Sequence, residues 1–160
     1  MTTRRYWLLK TEPDVFSFAD LMKAPKRTSG WDGVRNFQAR NLLRDEIEKG
    51  DGVLIYHSSV APMAVVGEAE VTREGHPDPT QFEKGHDHYD EGSRPDDPRW
   101  FQVEVRAVRA LRHPVTLERL KATPALRDLP LLRRGNRLSV QPVGAKEFAL
   151  ILKMGEQSPD

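Results

Sequence analysis

The densest chemistry in the chain lies in one string, Trp31-Asp-Gly-Val-Arg-Asn-Phe-Gln-Ala-Arg-Asn41. It gathers an indole, a carboxylate, two guanidiniums and several amides in a loop that leads into a helix N-terminus. Such a terminus presents free backbone N–H groups to an anion, and Arg35 can add a bidentate contact. Trp31 offers a flat face for stacking on a nucleobase, and Asp32, Asn36 or Gln38 can pair with a base edge. Equally, Trp31 can pack in a core and Asn36 can simply cap the helix. The residues of the string leave both roles open.

A second group is His76, His86 and His88, with Asp78, Asp87 and Asp90 close by in sequence. In His86-Asp-His88 two imidazoles fall on one side of an extended segment, the raw material of a metal site. No further cluster at ligand spacing and no helical HExxH pattern accompanies them, so a solvated polar loop is expected and no metal or other cofactor is assigned. Ser58, Ser59 and Ser139 lack a Gly-x-Ser-x-Gly elbow, and no phosphate-cradling glycine loop occurs. A binding protein is therefore expected, with a small enzyme built on the His/Asp-rich stretch 76–90 as the alternative.

Composition narrows the classes further. At 160 residues the chain fits one domain, here placed at 1–155 with a flexible tail at 156–160. The absence of cysteine excludes disulfides, thiol catalysis and cysteine-ligated metals. No apolar run approaches the ~18 residues of a membrane span, and the run 6–9 is too short for a signal peptide, so an intracellular monomer with no membrane partner is expected. Its net charge of +1 hides a polarised chain: residues 101–153 carry eleven basic and four acidic side chains, whereas residues 72–100 carry four and eight. Basic faces of this kind often meet phosphate.

These groups must be held by a framework, and the hydrophobic pattern supplies one. Residues 6–10 read as a strand ended by Pro13. Ser17-Phe-Ala-Asp20 has the form of a capping box and opens a short helix stopped near Pro25. Residues 26–33 read as loop. Asn36 can cap a helix reaching about Glu48, with Gly50 behind it. Residues 52–58 form a continuous apolar strand covered on both faces, and 63–71 a second strand. Residues 72–99 have almost no apolar period, and a connection of that length inside a domain tends to be functional or disordered; Phe82 and Tyr89 give it aromatic groups to dock with, which argues against disorder. Phe101, Val103, Val105 and Ala107 alternate with polar residues as a strand. Thr116 opens a short helix, 137–141 read as a last strand, and 145–154 as a last helix closed by Gly155. Strands and short helices without regular alternation indicate an α+β domain with a strongly bent sheet.

Read together, Tyr6-Trp-Leu-Leu-Lys-Thr-Glu-Pro13, the 31–41 string, Tyr56-His-Ser58, Pro77-Asp-Pro-Thr-Gln-Phe82, His88-Tyr-Asp90, Trp100 and Arg137-Leu-Ser-Val-Gln-Pro142 closely resemble the EVE-domain family. The resemblance runs from about Tyr6 to Met154; Thr11 stands where a serine is common. It implies a PUA-like fold, a curved mixed sheet or pseudo-barrel with short helices packed outside. It also implies non-enzymatic binding of nucleic acid, DNA or RNA, carrying a modified base such as 5-methyl- or 5-hydroxymethylcytosine. A bacterial-type member is expected in the cytoplasm, a eukaryotic one in the nucleus. On this resemblance the base pocket is expected to draw on Trp7, Lys10, Trp31, Asp32, Val34, Arg35, Asn36, Gln38, Tyr56, His57 and Ser58. Val34 can touch a base methyl group. Arg40 and Arg137 are expected at phosphate, with Ser139 and Gln141 in the same motif strand. The 72–99 stretch becomes a lid bearing Phe82, His88 and Tyr89.

Overall fold

The computed structural model describes residues 4–159; Asp160, the end of the expected tail, lies outside the described residues. Six strands form one open mixed sheet. They are β1 (Tyr6–Thr11), β2 (Thr28–Gly30), β3 (Gly52–His57), β4 (Ala64–Pro77), β5 (Phe101–Thr116) and β6 (Val140–Val143), in the order β2-β5-β4-β3-β1-β6. β1 runs parallel to β3 and antiparallel to β6, so Leu8 lies between Leu54 and Gln141. The helices are α1 (Phe18–Lys23), α2 (Phe37–Asp45), α3 (Leu117–Lys121) and α4 (Ala145–Met154). The α+β, PUA-like arrangement expected from the sequence is the one that forms.

The continuous apolar runs of β1 and β3 have a simple cause: both faces of the sheet are covered. Trp7, Leu9, Val53 and Ile55 pack toward α1 and α2, while Leu8, Leu54 and Tyr56 pack toward α3 and α4. Gly75 lets α2 come down onto β4, because a Cβ there would stand 2.3 Å from the backbone carbonyl oxygen of Leu43. β4 and β5 change register at several points, and such bulges bend a long antiparallel pair.

Several boundaries differ from the sequence expectation; β5 runs on to Thr116, well past Ala107, where the alternation ends. β4 continues to Pro77 instead of ending near Val71, because β5 pairs with it as far as Pro77–Phe101 across bulges that erase the alternation. β2 forms inside the expected 26–33 loop, as a short edge strand held by β5. α2 stops at Asp45, and Gly50 (φ +94°) instead turns the chain into β3, its N–H bonding the Val71 carbonyl. β6 begins at Val140, three residues later than expected; Arg137 and Leu138 stay outside the strand, and Ser139 joins β1 through its carbonyl, which accepts the Lys10 N–H at 2.9 Å.

Candidate nucleic-acid interface

Lys10 and Thr11 at the end of β1 and Ser58 just after β3 open into a cleft of about 1220 Å³. Its other walls come from Val15 and Phe16 ahead of α1, from residues 31–35, from His86 to His88, and from Asn136, Arg137 and Ser139. Of the expected pocket residues, Lys10, Trp31, Asp32, Val34, Arg35 and Ser58 meet here, joined by Arg137 and His88.

Lys10 has no carboxylate partner among the described residues, and its ammonium stands 6.0 Å from the Tyr56 ring centre. Partial burial pulls its pKa below the ordinary lysine value. Trp31 lies edge-on to Phe16 at 6.0 Å and keeps 6% of its surface, on the cleft wall. Val15 is 72% exposed at the same wall, an apolar side chain left in water. The Ser58 N–H bonds the Thr11 carbonyl at 3.0 Å, which locks the two strand ends side by side.

The 31–35 wall is fixed by a residue far away in sequence, Asp78, whose carboxylate is fully buried. Oδ2 accepts from the Gly33 N–H (2.9 Å) and from Arg35 Nη1 (3.0 Å); Oδ1 accepts from the Thr80 N–H (2.8 Å) and hydroxyl (2.6 Å). Burial alone raises the pKa of Asp78. The hydrogen bonds from the Thr80 hydroxyl, the Gly33 N–H, Arg35 and the Thr80 N–H outweigh it and leave the group below the usual aspartate value. Gly33 sits at φ +82°, and a Cβ there would collide with the His88 ring.

Arg35, expected to meet the ligand, is instead committed to the protein. Besides Asp78, its terminal nitrogens donate to Thr80 Oγ1 (3.3 Å) and to the carbonyls of Val34 (3.1 Å) and His88 (2.7 Å), and its guanidinium lies over the Trp100 ring. Trp7 lies outside the cleft: it is fully buried, and its indole N–H donates to the buried Asp51 at 2.8 Å. Tyr56 is buried in the α3/α4 core, and His57 Nε2 accepts the Phe18 N–H at 3.0 Å. Burial holds the His57 pKa below its ordinary value, which suits an acceptor nitrogen. Arg40 binds the Arg99 carbonyl (2.6 Å) and Asn41 (2.8 Å), so it fastens α2 to the 78–100 stretch and does not reach the cleft. Asn36 caps α2 through the Ala39 N–H (3.0 Å), and with Gln38 it lines a neighbouring groove.

The stretch expected to act as a lid is pinned. Gln81 donates to the carbonyls of Asp78 (2.7 Å) and Trp100 (2.8 Å) and accepts from the Ser93 hydroxyl and the Trp100 N–H. Asp90 accepts the Trp100 indole N–H at 2.6 Å. Phe82 is partly buried in the 3₁₀ turn Pro79–Phe82 and Tyr89 faces solvent, so only His86 to His88 reach the cleft. There Asp32, His86 and His88 bring possible ligand atoms within 4.8 Å of one another. His76 stands apart, bonded to the Glu74 carbonyl and to Gln102.

With this geometry in place, comparison with known proteins is informative. The family model for the EVE domain matches residues 5–154. Thymocyte nuclear protein 1 of Mus musculus is 42% identical over 171 residues, an alignment covering 96% of this chain and 75% of that protein. The crystal structure of the human THYN1 protein in complex with 5-methylcytosine containing DNA superposes with a TM-score of 0.90 at 38% identity, covering 97% of this chain and 99% of that one. A protein of Leishmania major gives the same TM-score at 42% identity, with 96% of each chain covered.

Proposed function

The chain belongs to the EVE-domain family, and from that premise we propose that it is a non-enzymatic module that binds nucleic acid and takes a modified base into the cleft beside Lys10, Trp31 and Ser58. The observation that carries the reading is the likeness of the whole fold to the human THYN1 protein in its complex with DNA containing 5-methylcytosine. The chemistry of the cleft agrees with such a ligand. A flipped base needs its donors and acceptors matched and its faces covered. Lys10, Ser58 and Asp32 offer a donor, a hydroxyl and an acceptor, while Trp31, Val34 and Val15 offer apolar surface, which a base methyl group also prefers. Arg137 supplies positive charge at the mouth.

Calorimetric titration with strands carrying cytosine, 5-methylcytosine or 5-hydroxymethylcytosine, each as DNA and as RNA, tests this. A preference for a modified base is expected, and it should weaken in Lys10→Ala and in Trp31→Phe. Trp31→Phe keeps an aromatic core residue while trimming the indole surface on the cleft wall. Equal affinity for all strands, unchanged in both variants, overturns the proposal. The enzymatic alternative uses the His/Asp-rich stretch 76–90 to hold an ion, for which Asp32, His86 and His88 are placed, or to supply acid–base groups. Elemental analysis of the purified protein separates the two, since a stoichiometric metal lost on His86→Ala/His88→Ala substitution favours the enzyme.

A further inference from the structure

On the far side of the 136–137 segment lies a second, open groove of about 650 Å³, which shares Asn136 and Arg137 with the cleft. One wall is the start of α2, with Asn36 and Gln38. The other is the turn 130–138, where the Asn136 side chain donates to the Pro130 carbonyl (2.8 Å) and accepts the Leu138 N–H (3.1 Å). That turn presents Arg133, Arg134 and Arg137 to solvent, and none of the three has a carboxylate partner among the described residues. Three unpaired guanidiniums within five residues repel one another, and an anion removes that cost. The floor adds an independent sign. Gln141 is 1% exposed; its Nε2 donates to the Leu138 carbonyl at 2.7 Å, while its Oε1 is buried with no donor. A buried acceptor left unmatched costs about 1–3 kcal/mol, which a ligand N–H or O–H would recover.

We propose that this groove carries the phosphodiester backbone flanking the base in the cleft, with phosphates on Arg133, Arg134 and Arg137 and a base or sugar donor directed to Gln141. The inference rests on the cleft being a base site, and it sets a direction: the strand leaves the cleft over Asn136 toward α2.

Its test compares 5-methyldeoxycytidine monophosphate with single DNA strands extended stepwise on the 5′ or the 3′ side of 5-methylcytosine, titrated across a salt series into wild-type protein and Arg133→Ala/Arg134→Ala. Affinity is expected to rise with extension on one side and then level. In the variant that rise should vanish, with the monophosphate bound as before. The slope of log K against log salt should shrink by about 1.4, from ~0.7 for each of two phosphates on a single strand. Arg133→Lys/Arg134→Lys should restore most of the slope. A rise that persists in the alanine variant, or no rise on either side while the monophosphate binds, overturns the groove and leaves the cleft reading intact. If the monophosphate does not bind and no strand prefers the modified base, the cleft reading fails and this inference falls with it.

Discussion

Arg35 and Asp78 stand 43 positions apart in the chain and 3.0 Å apart in the fold. In sequence Arg35 reads as a ligand contact because it sits in a loop at a helix N-terminus, where a guanidinium can add a bidentate contact to an anion. What redirects it is a single aspartate in a stretch without apolar period, whose one local sign is an Asp-Pro-Thr turn start. Asp78→Ala would leave the guanidinium without its counter-charge. Breaking a buried pair costs about 3–5 kcal/mol, and with the Arg35 side chain 24% exposed the lower end of that range is expected in chemical denaturation. The pH dependence follows from the depressed pKa. Above about pH 3.8 the carboxylate is ionised whether folded or unfolded and its stabilisation is complete; as pH falls below that and through the lower folded value, the stabilisation is lost. The acid limb of an unfolding-against-pH curve should therefore be shallower in Asp78→Ala than in the wild type.

At the level of elements, legibility tracks how local the cause is. The Ser17 capping box and the Asn36 cap are four-residue patterns, and both close as read. β2 is Thr-Ser-Gly and owes its existence to β5, so nothing within it announces a strand. Arg137 and Leu138 look like part of a strand yet stay outside it, while the Ser139 carbonyl still accepts the Lys10 N–H, and Arg137 is left to line the cleft. His57 follows the same logic. It reads as a pocket residue in Tyr56-His-Ser58, but it serves as the acceptor that holds the start of α1 to β3. With its pKa held below 6.5, its acceptor role is complete above that value and is lost as the ring gains a proton at lower pH. Corrected for intrinsic rates, amide exchange within α1 should accelerate as pH falls below about 6.5 and through the lower folded value. In His57→Gln, which keeps an acceptor that does not titrate, exchange should stay flat after correction for intrinsic rates.

Across the whole molecule, a formal charge of +1 conceals a division of labour. The acidic stretch 72–100 spends Asp78 and Asp90 on internal bonds to Arg35, Arg99 and Trp100, whereas Arg133, Arg134 and Arg137 have no carboxylate partner among the described residues. The split was visible in the sequence as a basic third beside an acidic middle; which charges are consumed inside the fold was not, because that depends on partners brought together from distant segments. The bonds of Asp78, Gln81 and Asp90 also have a kinetic meaning. A wall tied at both ends of its run has no slow opening to wait for, so ligand entry should be a single bimolecular event. In stopped-flow mixing with oligonucleotide, the observed rate should climb in proportion to concentration without reaching a plateau; a plateau would reveal a gate that these bonds should not permit. Selectivity would then reside in how long a base stays, and two bases that differ by one methyl group would be told apart on departure.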